Sequence, residues 1–211
     1  GWSEAREIRT GKQDAGFRID FWVICDEDNA HLFYADQTGS LLRLKSSLDE
    51  FPGGFVNSVP EVALRVNRMN EEPGWRFFEA AHIYYVKEEN VYLAVLEGAW
   101  RHPVNTERVD SRNRFVFGMI ADSLDGAWRR VEDDHEVFLA LADNITDAAG
   151  NSVSLTQVSH PELIRSGHDQ RLEIDSYNMQ MIFQSFDGSQ IPDDFHYNEL
   201  PWELYLMKNY H

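Results

Sequence analysis

One cysteine, Cys25, occurs in 211 residues, which excludes an internal disulfide. It lies in an apolar, strand-like run and reads as a small buried hydrophobe, leaving the redox compartment undecided. Positive charge is also scarce: 19 Lys and Arg stand against 36 Asp and Glu, a formal charge of −17. That balance argues against nucleic acid or an anionic membrane as a partner, and a solvated acidic surface is its plain reading. No apolar run approaches the ~20 residues of a membrane-spanning helix. No signal peptide is legible, and no segment carries a long helical period. The chain opens on Gly1 rather than Met, inside what reads as a loop. It is therefore read as trimmed, processed or part of something longer, and a missing leader decides nothing about localisation.

What is present is strand. With 43% hydrophobic and 13% aromatic residues, the chain can bury a core as one domain spanning 1–211 or as two small ones. Phe17 to Asp26, His31 to Asp36 and Ser40 to Lys45 are apolar runs broken by Asp/Asn and Gly turns, which predicts an antiparallel meander. Asp49 to Phe55 is turn chemistry, and a weaker strand is expected over Glu61 to Val66. Trp75 to Val86 and Val91 to Glu97 form a strong pair turning at Lys87 to Asn90, before a polar loop from Trp100 to Asp110. Arg114 to Ala121 is a further strand, and Ser123 to Trp128 a turn with an Asp-Gly signal. Residues 137–142 are open between helix and strand. A strand is expected over Ser152 to Val158, ending at Ser159-His160-Pro161, and others at Arg171 to Ile174, Met179 to Gln184 and Trp202 to Leu206. The fold class is all-β and mostly antiparallel.

Two carboxylates interrupt apolar strands, Asp20 and Glu79. A charge in such surroundings is costly unless it is paired or used. They are about 60 positions apart, each opening a similar meander, and propeller blades repeat at roughly 40–50 residues. One blade step with a longer loop would place both on inner strands facing one channel. A sandwich also fits the strand pattern, and spacing tilts the choice toward the propeller.

At these residues the sequence resembles the α-L-arabinofuranosidases of glycoside hydrolase family 62. The likeness starts in Ile19 to Asp26 with Leu32 to Asp36. It continues in order through Phe51 to Phe55, Phe78-Glu79-Ala80, Tyr92-Leu93 with Glu97, and Ser123 to Trp128. Val158-Ser159-His160, Leu163 to Arg165, Asp169-Gln170, Ile174-Asp175, Asn178 to Gln180 and Tyr197 to Trp202 complete it. The resemblance implies a five-bladed β-propeller, incomplete here, that removes arabinofuranosyl side groups from arabinoxylan with inversion. It implies Glu79 as general acid and Asp20 as the carboxylate that tunes and orients it. His160 would stand where a central metal or water is held, and Tyr197 near the arabinose pocket. No cofactor is required; a structural calcium ion is compatible. Partners would be arabinoxylan or arabino-oligosaccharides, with no nucleic acid, no membrane and a monomeric state. Secretion follows from the polymeric substrate. Roughly the first third of the family's domain is expected upstream of Gly1, and the general base with it. Departures from the family pattern are Pro161 for a glycine, Tyr177 near a usual cysteine, and Phe117 for a basic residue.

Each assignment has a plainer alternative. Asp20 would cap local amides at a strand end, Glu79 would point outward, and His160 would be an ordinary loop histidine. Tyr197, Trp100 and Trp202 would be core aromatics. The Asp26 to Asn29 run resembles calcium chemistry superficially and reads as a solvated hairpin turn. A carbohydrate-binding propeller without catalysis is the rival function, and the segment by itself is expected to be inactive and poorly stable.

Overall fold

The computed structural model describes residues 4–5, 19–36, 38–71, 74–100, 114–131, 138–140, 144–187, 189 and 197–208. Among them the chain forms three sheets. The first is a meander of β1 (Ile19–Cys25), β2 (Asn29–Ala35), β3 (Ser40–Ser47) and β4 (Glu61–Arg65), antiparallel throughout. The turns follow from side-chain chemistry. Asp26 Oδ1 accepts from the amides of Asp28 and Asn29 at 2.9 and 2.7 Å, and Asp36 Oδ1 from those of Thr38 and Ser40 at 2.8 and 3.0 Å. The Asp26 to Asn29 run is thus a hairpin turn.

The second sheet carries the long pair β5 (Trp75–Val86) and β6 (Val91–Trp100), then β7 (Arg114–Ala121), β8 (Arg129–Arg130) and β9 (Phe138–Ala140). The third is β10 (Ser159–Leu163), β12 (Gln180–Ser185) and β13 (Glu203–Lys208). Between the last two sheets β11 (Glu173–Ile174) pairs in parallel with the free edge of β5, the one parallel ladder among the described residues.

The second sheet is the central layer, because its strands alternate faces. Ile83, Ala94 and Leu96 point into a core shared with Ile24, Phe33 and Leu41 of the first sheet. Their neighbours Tyr84, Leu93 and Val95 point the other way, into a core shared with Leu163, Met181 and Phe183 of the third. The all-β expectation holds. The ambiguous stretch at 137–142 is strand over its described part, Phe138–Ala140.

Two expectations need correction. No strand forms over 152–158; β10 begins at Ser159, where that strand was expected to end. Proline is tolerated there because the register between β10 and β12 slips between Ser159 and Glu162, where no ladder amide is needed. The second correction is at Trp100, expected to open a loop. It closes β6, with its ring centroid 4.7 Å from that of Phe115. The rest of that loop lies outside the described residues. No helix among the described residues is long and apolar enough to cross a membrane.

Candidate active site

Each sheet opens on a strand that brings one polar side chain to a common point. β1 carries Asp20, β5 carries Glu79 and β10 carries His160. All three strands are irregular there: register slips between Ile19 and Trp22, on both sides of Glu79, and after Ser159. Asp20, Ala80 and His160 hold φ of +52°, +49° and +47°. Left-handed backbone at a non-glycine residue costs ~1–3 kcal/mol, and such strain concentrates where a side chain must be aimed. The result is one ligating atom each from Asp20, Glu79 and His160, all within 4.8 Å of one another.

Asp20 takes the role of a cap, but not a local one. Its Oδ2 accepts from the amide of Ala80 at 2.8 Å, across 60 residues of chain. It therefore ties β1 to the backbone immediately after Glu79. Glu79 does not point outward; it is only 6% exposed.

Behind Glu79 lies a polar network built from Glu97, Arg114 and Ser159. Glu97 is fully buried on β6, directly paired with Glu79. Arg114 Nη1 donates to Glu79 Oε1 at 2.6 Å and to Glu97 Oε1 at 2.9 Å. Glu97 Oε2 accepts from Ser159 Oγ and from the His160 amide, both at 2.9 Å. Arg114 Nη1 also reaches Ser159 Oγ at 3.2 Å, and its guanidinium lies 5.0 Å over the Phe78 ring. Since Ser159 spends its one proton on Glu97, the contact at 2.8 Å between Ser159 Oγ and His160 Nδ1 needs the proton on the imidazole.

Electrostatics follow from this arrangement. Burial, and next the neighbouring Glu97 charge, push the Glu79 carboxyl above its ordinary range; Arg114 opposes, Asp20 adds to the rise and His160 subtracts from it. A brace stands beside the cluster. His82 Nδ1 bonds the carbonyl of Pro161, and its ring stacks on Trp22 at 4.4 Å. Trp22 Nε1 donates to the Ile83 carbonyl at 2.8 Å. Burial holds the His82 imidazole below the usual histidine range, so the ring is neutral and Nδ1 is the donor.

Asp20, Glu79 and His160 are the groups that could hold a cation. They are few beside the six to eight oxygens around calcium, so water would complete the shell. Glu79 already carries the Arg114 guanidinium. The structure brings together three of the four expected site residues. Tyr197 opens a short 3₁₀ turn, Tyr197–Glu199, and its side chain lies outside the described part. Trp202 packs edge-on against Phe186, with centroids 4.8 Å apart.

Sequence reasoning missed Glu97, Arg114 and Ser159 as site residues. A signal existed for Glu97, a charge ending the apolar run Val91 to Leu96. Regular pairing outward from the Lys87 to Asn90 turn brings it opposite Ala80, next to Glu79, and the bulge between Glu79 and Ala81 supplies the last step that sets it opposite Glu79.

The model of glycosyl hydrolase family 62 matches residues 1–207. α-L-Arabinofuranosidase C of Cellvibrio japonicus is 29% identical over 207 residues, 98% of this chain and 30% of that protein. The catalytic domain of a Coprinopsis cinerea α-L-arabinofuranosidase superposes with TM-score 0.72 at 34% identity, over 92% of this chain and 55% of that one. PaAbf62A of Podospora anserina, solved in complex with cellotriose, gives 0.70 at 32%, with the same coverage. The chain thus spans about half the length of these solved relatives. The likeness identifies its stacked sheets as a β-propeller type of fold.

Proposed function

Because the chain belongs to glycosyl hydrolase family 62, we propose that it hydrolyses terminal α-L-arabinofuranosyl side groups of arabinoxylan, with Glu79 as general acid. The observation that supports this is the environment of Glu79. It is buried, its affinity for a proton is raised, and its carboxylate is held by Arg114 within 4.8 Å of Asp20 and His160. An acid catalyst must be protonated at working pH, and burial together with the Glu97 and Asp20 charges favours that form against Arg114 and His160. Glu79 protonates the departing glycosidic oxygen as the bond to the sugar's anomeric carbon breaks.

Asp20 acts as modulator. Its charge favours the protonated form of Glu79, and its bond to the Ala80 amide fixes the backbone from which Glu79 projects. It is poorly suited as the base, because inverting enzymes separate their carboxyls by ~6.5–9.5 Å to admit water. Glu97 has both oxygens engaged and no exposure. The base of an inverting pair therefore comes from beyond these three carboxylates. Tyr197 is assigned to the sugar pocket, His160 to the holding of a central metal or water, and the propeller is assigned five blades. Acid/base hydrolysis requires no cofactor. A cation, where bound, would be held by Asp20 and His160 and would supply local positive charge. Action on a cell-wall polymer implies an extracellular protein, and we take it to work as a monomer.

The test is arabinose release from arabinoxylan by the protein carrying this chain, with the first anomer followed by NMR. Release as β-arabinofuranose, lost in Glu79→Gln, is expected. The α anomer first would make the reaction retaining. No release, with xylan binding intact, would mean a carbohydrate-binding propeller instead.

A further inference from the structure

A cavity of about 610 Å³ opens between the outer edge of the first sheet and the outer strands of the second, and no residue of the acid cluster lines it. Arg65 at the end of β4, Arg68 just beyond it, and Arg129 and Arg130 of β8 surround it, with Trp75 and Trp128 as aromatic walls and one carboxylate, Glu71, held by Arg68 Nη1 at 3.3 Å. Its volume falls in the ~300–1,000 Å³ range of small-ligand sites. Four guanidinium groups around one cavity stand out in a chain of net charge −17.

The walls are held in place before any ligand arrives. The Arg68 amide donates to the Trp75 carbonyl at 2.7 Å, and the Phe77 amide to the Val66 carbonyl at 3.0 Å, lacing the two sheets together. The Val66 amide in turn donates to Gly39 at 2.8 Å. Gly39 has φ +95°, and an added Cβ would stand 2.7 Å from the Val66 oxygen. Trp75 packs against Phe115 and Phe117 at 5.3 and 5.1 Å, and Trp128 stands perpendicular to Phe33 at 6.4 Å. Arg65 is anchored through Nε to Ser40 Oγ at 3.1 Å, and Arg129 through Nη2 to Asp122 Oδ1 at 2.9 Å. A guanidinium has five N–H donors, so both keep others for a ligand. The indole N–H of Trp128 is buried and meets no acceptor among the described residues. Buried donors are nearly always bonded, and an indole nitrogen can only donate.

Four guanidinium groups against the one Glu71 carboxylate disfavour a metal cation and, around aromatic faces, suit a ring carrying a carboxylate. We infer that this cavity is a second binding site, for a uronosyl sugar. Arg65 and Arg129 grip its carboxylate, and the Trp128 N–H donates to a ring or hydroxyl oxygen. The choice of a sugar rests on family membership and not on the roles given to Glu79 and Asp20.

The test is calorimetric titration of the protein carrying this chain with three probes. They are a xylo-oligosaccharide bearing one glucuronosyl group, its unsubstituted counterpart, and inorganic phosphate. The uronosyl compound is expected to bind about tenfold more tightly than either other probe, and less tightly as salt is added. Trp128→Phe, which keeps a ring and loses the N–H, and Arg65→Gln should each weaken it about five- to tenfold. Arg65 is exposed, so its variant carries the test if Trp128→Phe fails to fold. Glu79→Gln should cut arabinose release by about 10²–10⁴-fold and leave this binding unchanged, which separates failure of the hydrolytic reading from failure of this one. Equal affinity for the neutral oligosaccharide or for phosphate, no binding, or binding lost in Glu79→Gln would each overturn the inference.

Discussion

Glu79 and Glu97 face each other across the β5–β6 ladder and take hydrogen bonds from the same nitrogen of Arg114, at 2.6 and 2.9 Å. One positive charge is thus shared between a carboxylate with no exposure and one at the site. Glu97 is satisfied on both oxygens, by Arg114 on one and by Ser159 and the His160 amide on the other. It offsets the guanidinium that would otherwise hold Glu79 ionised. Burial then dominates, and Glu79 retains its proton to higher pH than an ordinary carboxyl.

Glu97→Gln should therefore lower the affinity of Glu79 for its proton. A general acid works in its protonated form, so activity is lost as pH rises through its pKa. The alkaline limb of kcat/KM should move to lower pH in this variant. A limb that stays in place or moves upward would show that Glu97 acts only by packing.

Glu79→Gln should reduce hydrolysis of arabinoxylan by about 10²–10⁴-fold, the usual share of a positioned acid. An aryl arabinofuranoside with an acidic phenol leaves without protonation and should lose far less. Comparing kcat/KM on the two substrates checks this. Equal losses on both would assign Glu79 a role other than proton donation.

The layered fold was legible because period-two alternation and turn chemistry are local. Asp26 and Asp36 close turns a few residues away, and Ile83 and Tyr84 differ in face by one position. The site was legible only where a charge broke an apolar strand, as at Asp20 and Glu79. His160 and the family roles came from resemblance. Arg114 was invisible as a site residue because a basic residue opening a strand is ordinary; only tertiary packing places its guanidinium between Glu79 and Glu97. The start of β10 was misplaced because Pro161 reads as a strand end. A register slip that removes the need for its amide cannot be seen in one strand alone.

Gly98→Ala should destabilise the fold by roughly 1–3 kcal/mol through overpacking. A Cβ there would stand 2.4 Å from Phe115 Cζ, and that ring is fully buried among Trp75, Trp100 and Phe117. Denaturant unfolding of the variant measures the loss, and a companion Phe115→Leu exchange should recover part of it. A cost below about 0.5 kcal/mol, typical of surface substitutions, would mean that β6 shifts freely.

His31 sets a further pH dependence, in stability. It is buried on β2, with Nε2 2.8 Å from Asp26 Oδ2 and Nδ1 3.9 Å from Asp125 Oδ1. Arg43 Nη2 stands 3.2 Å from the same Asp125 oxygen and 2.6 Å from Glu61, and Lys45 Nζ lies 2.9 Å from Asp125 Oδ2. Burial lowers the imidazole below the ordinary 6.5 and outweighs the opposing pull of Asp26 and Asp125, while Arg43 lowers it further. The unfolded chain therefore takes up this proton first as pH falls, and stability drops below pH 6.5 toward the folded pKa. Asp26 is also held below its ordinary 3.8: burial raises it, but hydrogen bonds from the Asp28 amide, His31 and the Asn29 amide prevail. Its contribution is present above that value and disappears at lower pH, so the two groups separate along the pH axis. His31→Gln should flatten Tm between about pH 7 and 5 while leaving the steeper fall below about pH 4 in place. A slope unchanged between pH 7 and 5 would assign the acid sensitivity to other groups, His82 first among them, since burial lowers its pKa as well.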